Sequence, residues 1–269
     1  MSTKTIKVAA AASLKNGLET VIAAFKATPA GSSVTFDVTY NGSYTLANQI
    51  VNNTVLYDIY LAASDENDPD GMKKVVNAAK TISTPVLFIA NDLVLIRNSK
   101  GTFSGVISFG TVNSTTVGSG QHIWIANIEK APAGKYAKAA FDLTTPSSWT
   151  YLYGKAATDK TIGDDVQKTL AGVVNDNDIN NIQALGVVYN SDYLNSPSAP
   201  GTKTFLVNYA PATINGTINY SAAVLTNATS SIHNVETEAT AFVTFLVNNP
   251  SILQAKDFRL LSSPPKNEL

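Results

Sequence analysis

Short apolar blocks alternate with stretches of helical spacing along almost the whole chain. Ile6-Lys7-Val8-Ala9-Ala10-Ala11 reads as a buried strand, and Leu14, Leu18, Val21, Ile22 and Phe25 then recur at helical intervals, with Ser13 at the expected N-cap. The motif repeats: Val34 to Tyr40 alternates like a strand, Asn41-Gly42 marks a turn, and Leu46, Ala47, Ile50 and Val51 predict a helix from about Ser43. Asp58 to Ala63 is a third strand, followed by a polar run and a helix near Met72 to Ala79. Pro85 to Ala90 and Leu93 to Arg97 are two apolar runs split by Asn91-Asp92, as suits a connection between lobes.

From Gly101 to Gly120 the chain is rich in Gly, Ser and Thr and reads as loops with short strands. His122 to Ala126 is strand-like, Pro132-Ala133-Gly134 a turn, and Tyr136, Ala137, Ala140 and Phe141 a helix. After a loop at Thr144 to Ser148, Asp164-Asp165 caps a helix carrying Val166, Leu170, Ala171 and Val174. Gly186 to Tyr189, Phe205 to Val207 and Ile218 to Leu225 are further strands. Ala239, Phe242, Phe245 and Leu246 lie on a helix, and a turn at Asn249-Pro250 leads to a last short one. This alternation predicts an α/β protein with largely parallel sheets, whose strand-to-helix loops gather at the carboxyl edges.

Composition narrows the function. The 269 residues carry 19 basic and 20 acidic side chains, a formal charge of -1, and Arg97 and Arg259 are the only arginines, so no basic field exists to hold nucleic acid. Cysteine is absent, which excludes disulfides and thiolate chemistry. The low charged fraction of 14%, filled in by Asn, Thr and Ser, leans towards an exported protein. Met1-Ser2-Thr3-Lys4-Thr5 runs straight into a strand, without a signal peptide, so export implies a leader trimmed away. No stretch reaches the ~18 apolar residues of a membrane span.

Four capped junctions, at Ser13, Ser43, Ala133 and Val166, share one property: a helix start presents backbone N–H groups and a positive dipole end. Converging on one cleft, they would hold an anion with neutral donors alone. Such a site favours a fully ionised tetrahedral dianion, because the O–H of hydrogen phosphate finds no acceptor. Helix stability alone also accounts for such caps.

Five segments carry a resemblance. Ala10 to Leu18 (AAASLKNGL), Asn41 to Ile50 (NGSYTLANQI), Asn91 to Ile96 (NDLVLI), Ala131 to Lys138 (APAGKYAK) and Leu185 to Asp192 (LGVVYNSD) resemble, in order, the periplasmic molybdate-binding proteins of ABC uptake systems. The resemblance implies a two-lobed type II periplasmic-binding-protein fold with the ligand cleft between lobes, here about 1–86 with 217–269 and about 87–216. It implies no enzymatic activity, no cofactor and no bound metal cation. The ligand it implies is molybdate or tungstate, held by Ser13 and Ser43 (hydroxyl and N–H), Ala133 and Val166 (N–H) and Tyr189 (hydroxyl). The partner is an ABC membrane permease, the protein a monomer, and the location periplasmic or extracellular, with or without a lipid anchor.

This chain departs from the family pattern at Ala126 to Lys130, where relatives carry Gly-Asp-Pro, and at Tyr44, which follows the second serine and would crowd the cleft or add a donor. It also departs at Asp176 to Asn181, read as a solvated acidic loop, and at the stretches 196–215 and 227–234, which look extended. These bear on selectivity more than on fold. Asp176, Asp178 and Asn180 start like a calcium loop, but Asn181 and Val187 stand where Gly and Glu belong. His122 and His233 lack metal spacing, and the Asn-x-Ser/Thr matches are those expected of such a composition. Rival readings are the same fold with another oxyanion or a small organic anion, a hydrolase using Ser13 or Ser43, and an adhesive surface protein with a decayed site.

Overall fold

A computed structural model of the chain describes residues 4–101, 103–143, 147–197, 200–230 and 233–267. Strands are β1 (Lys4–Ala11), β2 (Val34–Asn41), β3 (Ile59–Ala62), β4 (Val86–Ala90), β5 (Leu93–Asn98), β6 (Gln121–Ala126), β7 (Ile162–Gly163), β8 (Gln183–Tyr189), β9 (Thr204–Tyr209) and β10 (Asn219–Val224). Helices are α1 (Lys15–Lys26), α2 (Ser43–Val51), α3 (Met72–Asn77), α4 (Pro132–Asp142), α5 (Trp149–Thr158), α6 (Val166–Asn175), α7 (Asn190–Leu194), α8 (Ala212–Asn215), α9 (Glu236–Asn248) and α10 (Pro250–Gln254). The chain divides into two compact units, Met1–Ala90 with Asn219–Ser263 and Asn91–Ile218 with Pro264–Leu269. The crossings fall a few residues beyond 86 and 216, and the last residues join the second unit.

In the first unit the sheet order is β2-β1-β3-β10-β4. β1 is parallel to β2 and β3, and β10 is antiparallel to β3 and β4. Alternation along the strands divides the core. On one face Leu46, Ala47, Ile50, Met72 and Val75 of α2 and α3 pack on Ala9, Tyr60, Ala62 and Ala223. On the other, Phe36 of β2 meets Phe25 of α1 and Phe242 of α9, with ring centroids 6.1 and 4.8 Å away.

The second unit repeats the plan in the order β7-β6-β8-β5-β9. β6 is parallel to β7 and β8, whereas β5 is antiparallel to β8 and β9. The helix α6 lies close on β6 because Gly172 bears no side chain: a Cβ there would sit 2.3 Å from the Trp124 ring.

Both sheets are therefore mixed rather than largely parallel. The helix-to-strand rhythm holds within each unit, but β10 enters the first sheet, and β5 the second, directly after a crossing between units, and each runs opposite to its neighbours. Other expectations also change. The described part of 101–120 has no strand, only a short 3₁₀ turn at Phe109–Thr111. Pro132-Ala133-Gly134 is the first turn of α4, because proline at N1 starts a helix. The buried face of α6 is Val166, Thr169, Leu170 and Val173, so Ala171 is exposed. The stretches 196–215 and 227–234 hold β9, α8 and a 3₁₀ turn at Thr226–Thr229. Of the loop expected at 144–148, residues 144–146 lie outside the described set, as do 1–3 at the start, 198–199 and 231–232.

The acidic run at 176–181 is solvated only from Asp178 onward; its first two residues, Asp176 and Asn177, are buried. Asp176 is fully buried in a π-helical turn, where its Oδ2 accepts the Trp124 indole N–H (2.6 Å) and faces His122 Nδ1 (2.8 Å), while Asn180 donates to its Oδ1 (2.8 Å). His233 Nδ1 likewise faces the buried Asp58, at 3.2 Å. Both histidines thus face structural carboxylates.

Candidate functional site

In the first unit the parallel register sets Ala11 opposite Asn41 and Ala10 opposite Leu61, so β1, β2 and β3 end level at one edge. The chain leaving β1 forms a 3₁₀ turn, Ala12–Leu14, and Ser13 lies inside it rather than capping α1. Its Oγ shares a 2.9 Å hydrogen bond with the Tyr220 hydroxyl. Tyr220 is wedged edge-on between Phe88 and Phe258, with centroids 6.2 and 5.6 Å away. Lys15, two residues on, is exposed.

Ser43 is the first residue of α2, and its Oγ accepts the Ala63 N–H at 3.0 Å. That contact uses a lone pair and leaves the hydroxyl hydrogen to donate elsewhere. Its backbone N–H belongs to the first turn, which has no intrahelical acceptor, and its carbonyl accepts the Tyr60 hydroxyl at 2.8 Å. Burial, then the Asp68 carboxylate, pushes the Tyr60 phenol pKa upward, so it remains a donor. Tyr44 turns its hydroxyl to Asp68 Oδ2 at 2.8 Å and is itself buried. Ser13 and Ser43 thus share one edge, built of hydroxyl and N–H groups.

In the second unit β6, β7 and β8 are likewise parallel, with Ala126 opposite Gly163 and Trp124 opposite Gly186. Ala133, Val166 and Tyr189 therefore follow or close three adjacent carboxyl ends. Pro132 has no N–H and Gly134 N–H donates to the Ala131 carbonyl (3.1 Å), so Ala133 N–H is the donor that the start of α4 presents. α4 reaches the strand end because Gly134 is bare: a Cβ would lie 2.4 Å from the Ala126 carbonyl oxygen.

At α6 the cap is Asp165, whose Oδ1 accepts Lys168 N–H at 2.9 Å, leaving Val166 and Gln167 N–H without an intrahelical acceptor. Of the four junctions, this one alone carries a side-chain cap. Asp164 instead pairs with Lys130 (2.7 Å) and Lys168 (3.0 Å), and these bonds hold its carboxyl below the usual range. Tyr189 is the last residue of β8 and is 1% exposed.

Sequence reasoning missed Asp192, one helical turn beyond Tyr189 and 2% exposed. Its Oδ1 accepts the Gln167 side-chain N–H, and burial, reinforced by Asp165, pushes its carboxyl well above the usual range, towards the neutral form. It missed Tyr220 and Ser64 as well, both brought to the serine edge from distant sequence. Among the described residues, no group of three or more His, Asp or Glu side chains is placed to hold a metal ion. No described helix is long and apolar enough to cross a membrane.

Residues 6–255 match the sequence profile of the family described as bacterial extracellular solute-binding protein. The chain belongs to that family. Solved structures give the two-lobed fold of solute-binding proteins. One, from Clostridium difficile, is named as a molybdenum ABC transporter substrate-binding domain; it is 25% identical, with 95% of this chain and 98% of that chain covered and a TM-score of 0.60. The Azotobacter vinelandii periplasmic molybdate-binding protein is 19% identical over 95% and 99% of the two chains, with a TM-score of 0.63. The sulfate-binding protein SubI from Mycobacterium tuberculosis is 16% identical over 96% and 88%, with a TM-score of 0.70. No curated protein matches the chain.

Proposed function

We propose that this solute-binding protein, acting as a monomer outside the cytoplasmic membrane, captures molybdate or tungstate and delivers it to an ABC permease. The first unit offers Ser13 and Ser43; the second offers the N–H groups of Ala133 and Val166 and the Tyr189 hydroxyl. The observation that carries the reading is the chemistry of these donors: hydroxyls and backbone N–H groups at strand ends, with no cationic side chain among them. Arg97 lies 4.5 Å over the Phe205 ring, and Arg259 donates to the Ser263 carbonyl at 2.9 Å, so both arginines are used in packing.

Neutral donors fixed by the fold bind a fully ionised dianion well, since every ligand oxygen only accepts. Hydrogen phosphate adds an O–H that needs an acceptor; of the buried carboxyls by the start of α6, Asp165 accepts Lys168 N–H as the helix cap, and Asp192 is held towards its own protonated form. The C. difficile relative, named for molybdenum, supports the same ligand class.

Thermal unfolding of ligand-stripped protein with molybdate, tungstate, sulfate and phosphate in turn tests the reading. Ligand at a hundred times its dissociation constant adds about 2.7 kcal/mol, or several degrees at about 2–4 °C per kcal/mol. Shifts with molybdate and tungstate, and none with phosphate, are expected. A sulfate shift alone would reassign the ligand, and no shift with any of the four would remove the function.

A further inference from the structure

We propose that Ser64 is a third serine donor to the bound oxyanion, an inference that rests on the oxyanion reading above. β1, β2 and β3 end level, and each is followed, two residues past its last position, by a serine: Ser13 after Ala11, Ser43 after Asn41 and Ser64 after Ala62. The backbone fixes Ser64 in that row from both sides. The preceding N–H, of Ala63, donates to Ser43 Oγ at 3.0 Å, and the Ser64 carbonyl accepts the Ser221 hydroxyl at 2.7 Å.

The three hydroxyls differ in what they are bonded to. Ser13 Oγ is paired with Tyr220 and Ser43 Oγ with Ala63 N–H, whereas Ser64 Oγ is buried and has no hydrogen-bond partner among the described residues. Ser64 is 0% exposed, against 5% for Ser13 and 1% for Ser43, so the row is uniformly covered. Asp68 is nearby but engaged, its Oδ2 by the Tyr44 hydroxyl (2.8 Å) and its Oδ1 by Asp70 N–H (3.1 Å). Gly71 leaves room for the hydroxyl: a Cβ there would lie 2.4 Å from Ser64 Oγ.

A buried hydroxyl that the fold leaves unbonded lowers stability unless something else accepts its hydrogen. An oxyanion oxygen at the serine edge is such an acceptor, and a third hydroxyl beside Ser13 and Ser43 adds a donor without adding charge. Ser64 would then raise affinity for acceptor-only tetrahedral ions as a class.

The experiment compares Ser64→Ala and Gly71→Ala with the unmodified chain by calorimetric titration with sodium molybdate, sodium tungstate and sodium sulfate, and by melting each protein without ligand. Ser64→Ala removes the hydroxyl; Gly71→Ala displaces it. Loss of a hydrogen bond to a charged ligand predicts a dissociation constant weakened by about tenfold or more. The ligand-free melting temperature of Ser64→Ala should be unchanged or raised, because an unbonded buried group has been removed. Affinity equal to that of the parent would overturn the inference. So would a ligand-free melting temperature lowered by several degrees, which marks a hydroxyl used within the fold. If the parent binds none of the three ions, the oxyanion reading falls and Ser64 with it; if the parent binds and both variants bind equally, the Ser64 inference alone falls.

Discussion

Replacing Ser43 by alanine separates the two roles the structure gives this side chain. Its Oγ accepts the Ala63 N–H at 3.0 Å, and the residue is 1% exposed, so the variant leaves a buried N–H without an acceptor. That costs about 1–3 kcal/mol, a fall of roughly 3–9 °C in the melting temperature of the ligand-free protein at about 3 °C per kcal/mol. The same change removes the hydroxyl hydrogen that Ser43 has left to donate. A hydrogen bond to a charged partner contributes about 1.5–3 kcal/mol, so the molybdate dissociation constant should rise a further ~10- to 150-fold. Differential scanning calorimetry without ligand reads the first effect, and titration calorimetry below the variant's melting range reads the second. An unchanged ligand-free melting temperature would refute the Ala63 contact as a support of this edge. Lost stability with full affinity would leave Ser43 a structural residue and remove it from the donor set.

Gly134→Ala should disturb the other unit. Its Cβ would meet the Ala126 carbonyl oxygen at 2.4 Å and Ile128 N at 2.9 Å, both backbone atoms, so α4 must shift at its start. A loss of about 1–3 kcal/mol and weaker molybdate binding through Ala133 N–H are expected; a variant that melts and binds like the parent would contradict the packing. Asp192→Asn should flatten the dependence of stability on pH. The Asp192 carboxyl keeps its proton to higher pH in the folded chain than in the unfolded one, so the folded state binds more protons and its contribution to stability falls as pH rises above about 4. Asparagine retains an acceptor for Gln167 and carries no charge, and denaturant titrations across pH should show the variant gaining on the parent as pH rises. Equal slopes would place the titration elsewhere.

Much of this architecture was legible because apolar blocks and helical spacing are local signals. β1 and β8 announce themselves as apolar runs, β2 by alternation and β6 by its β-branched and aromatic residues, and α1 and α2 by Leu18, Val21, Leu46 and Ile50. What escaped depends on partners remote in sequence. Asp176 reads as solvated until His122 and Trp124 close on it. Ser64 and Tyr220 mean nothing until β3 and β10 are neighbours. The helix Trp149–Thr158 was missed because its aromatic and β-branched residues show little helical spacing, and Gly154 interrupts it. Pro132 and Gly134 misled as a turn, since proline at N1 and glycine at a close contact use the same residues for other reasons. Ser13, Ser43, Ala133 and Val166 stood out as helix starts, and motif order joined them to Tyr189 as one donor set. Only the structure shows that the first two share one sheet edge and the last three another.

The most direct test of the account is equilibrium titration of ligand-stripped protein with sodium molybdate at neutral pH, followed by competition with excess phosphate. One molybdate should bind per chain and phosphate should not displace it, because neutral donors held by the fold match an ion whose oxygens all accept. Displacement by phosphate, or no molybdate bound at all, would contradict the account.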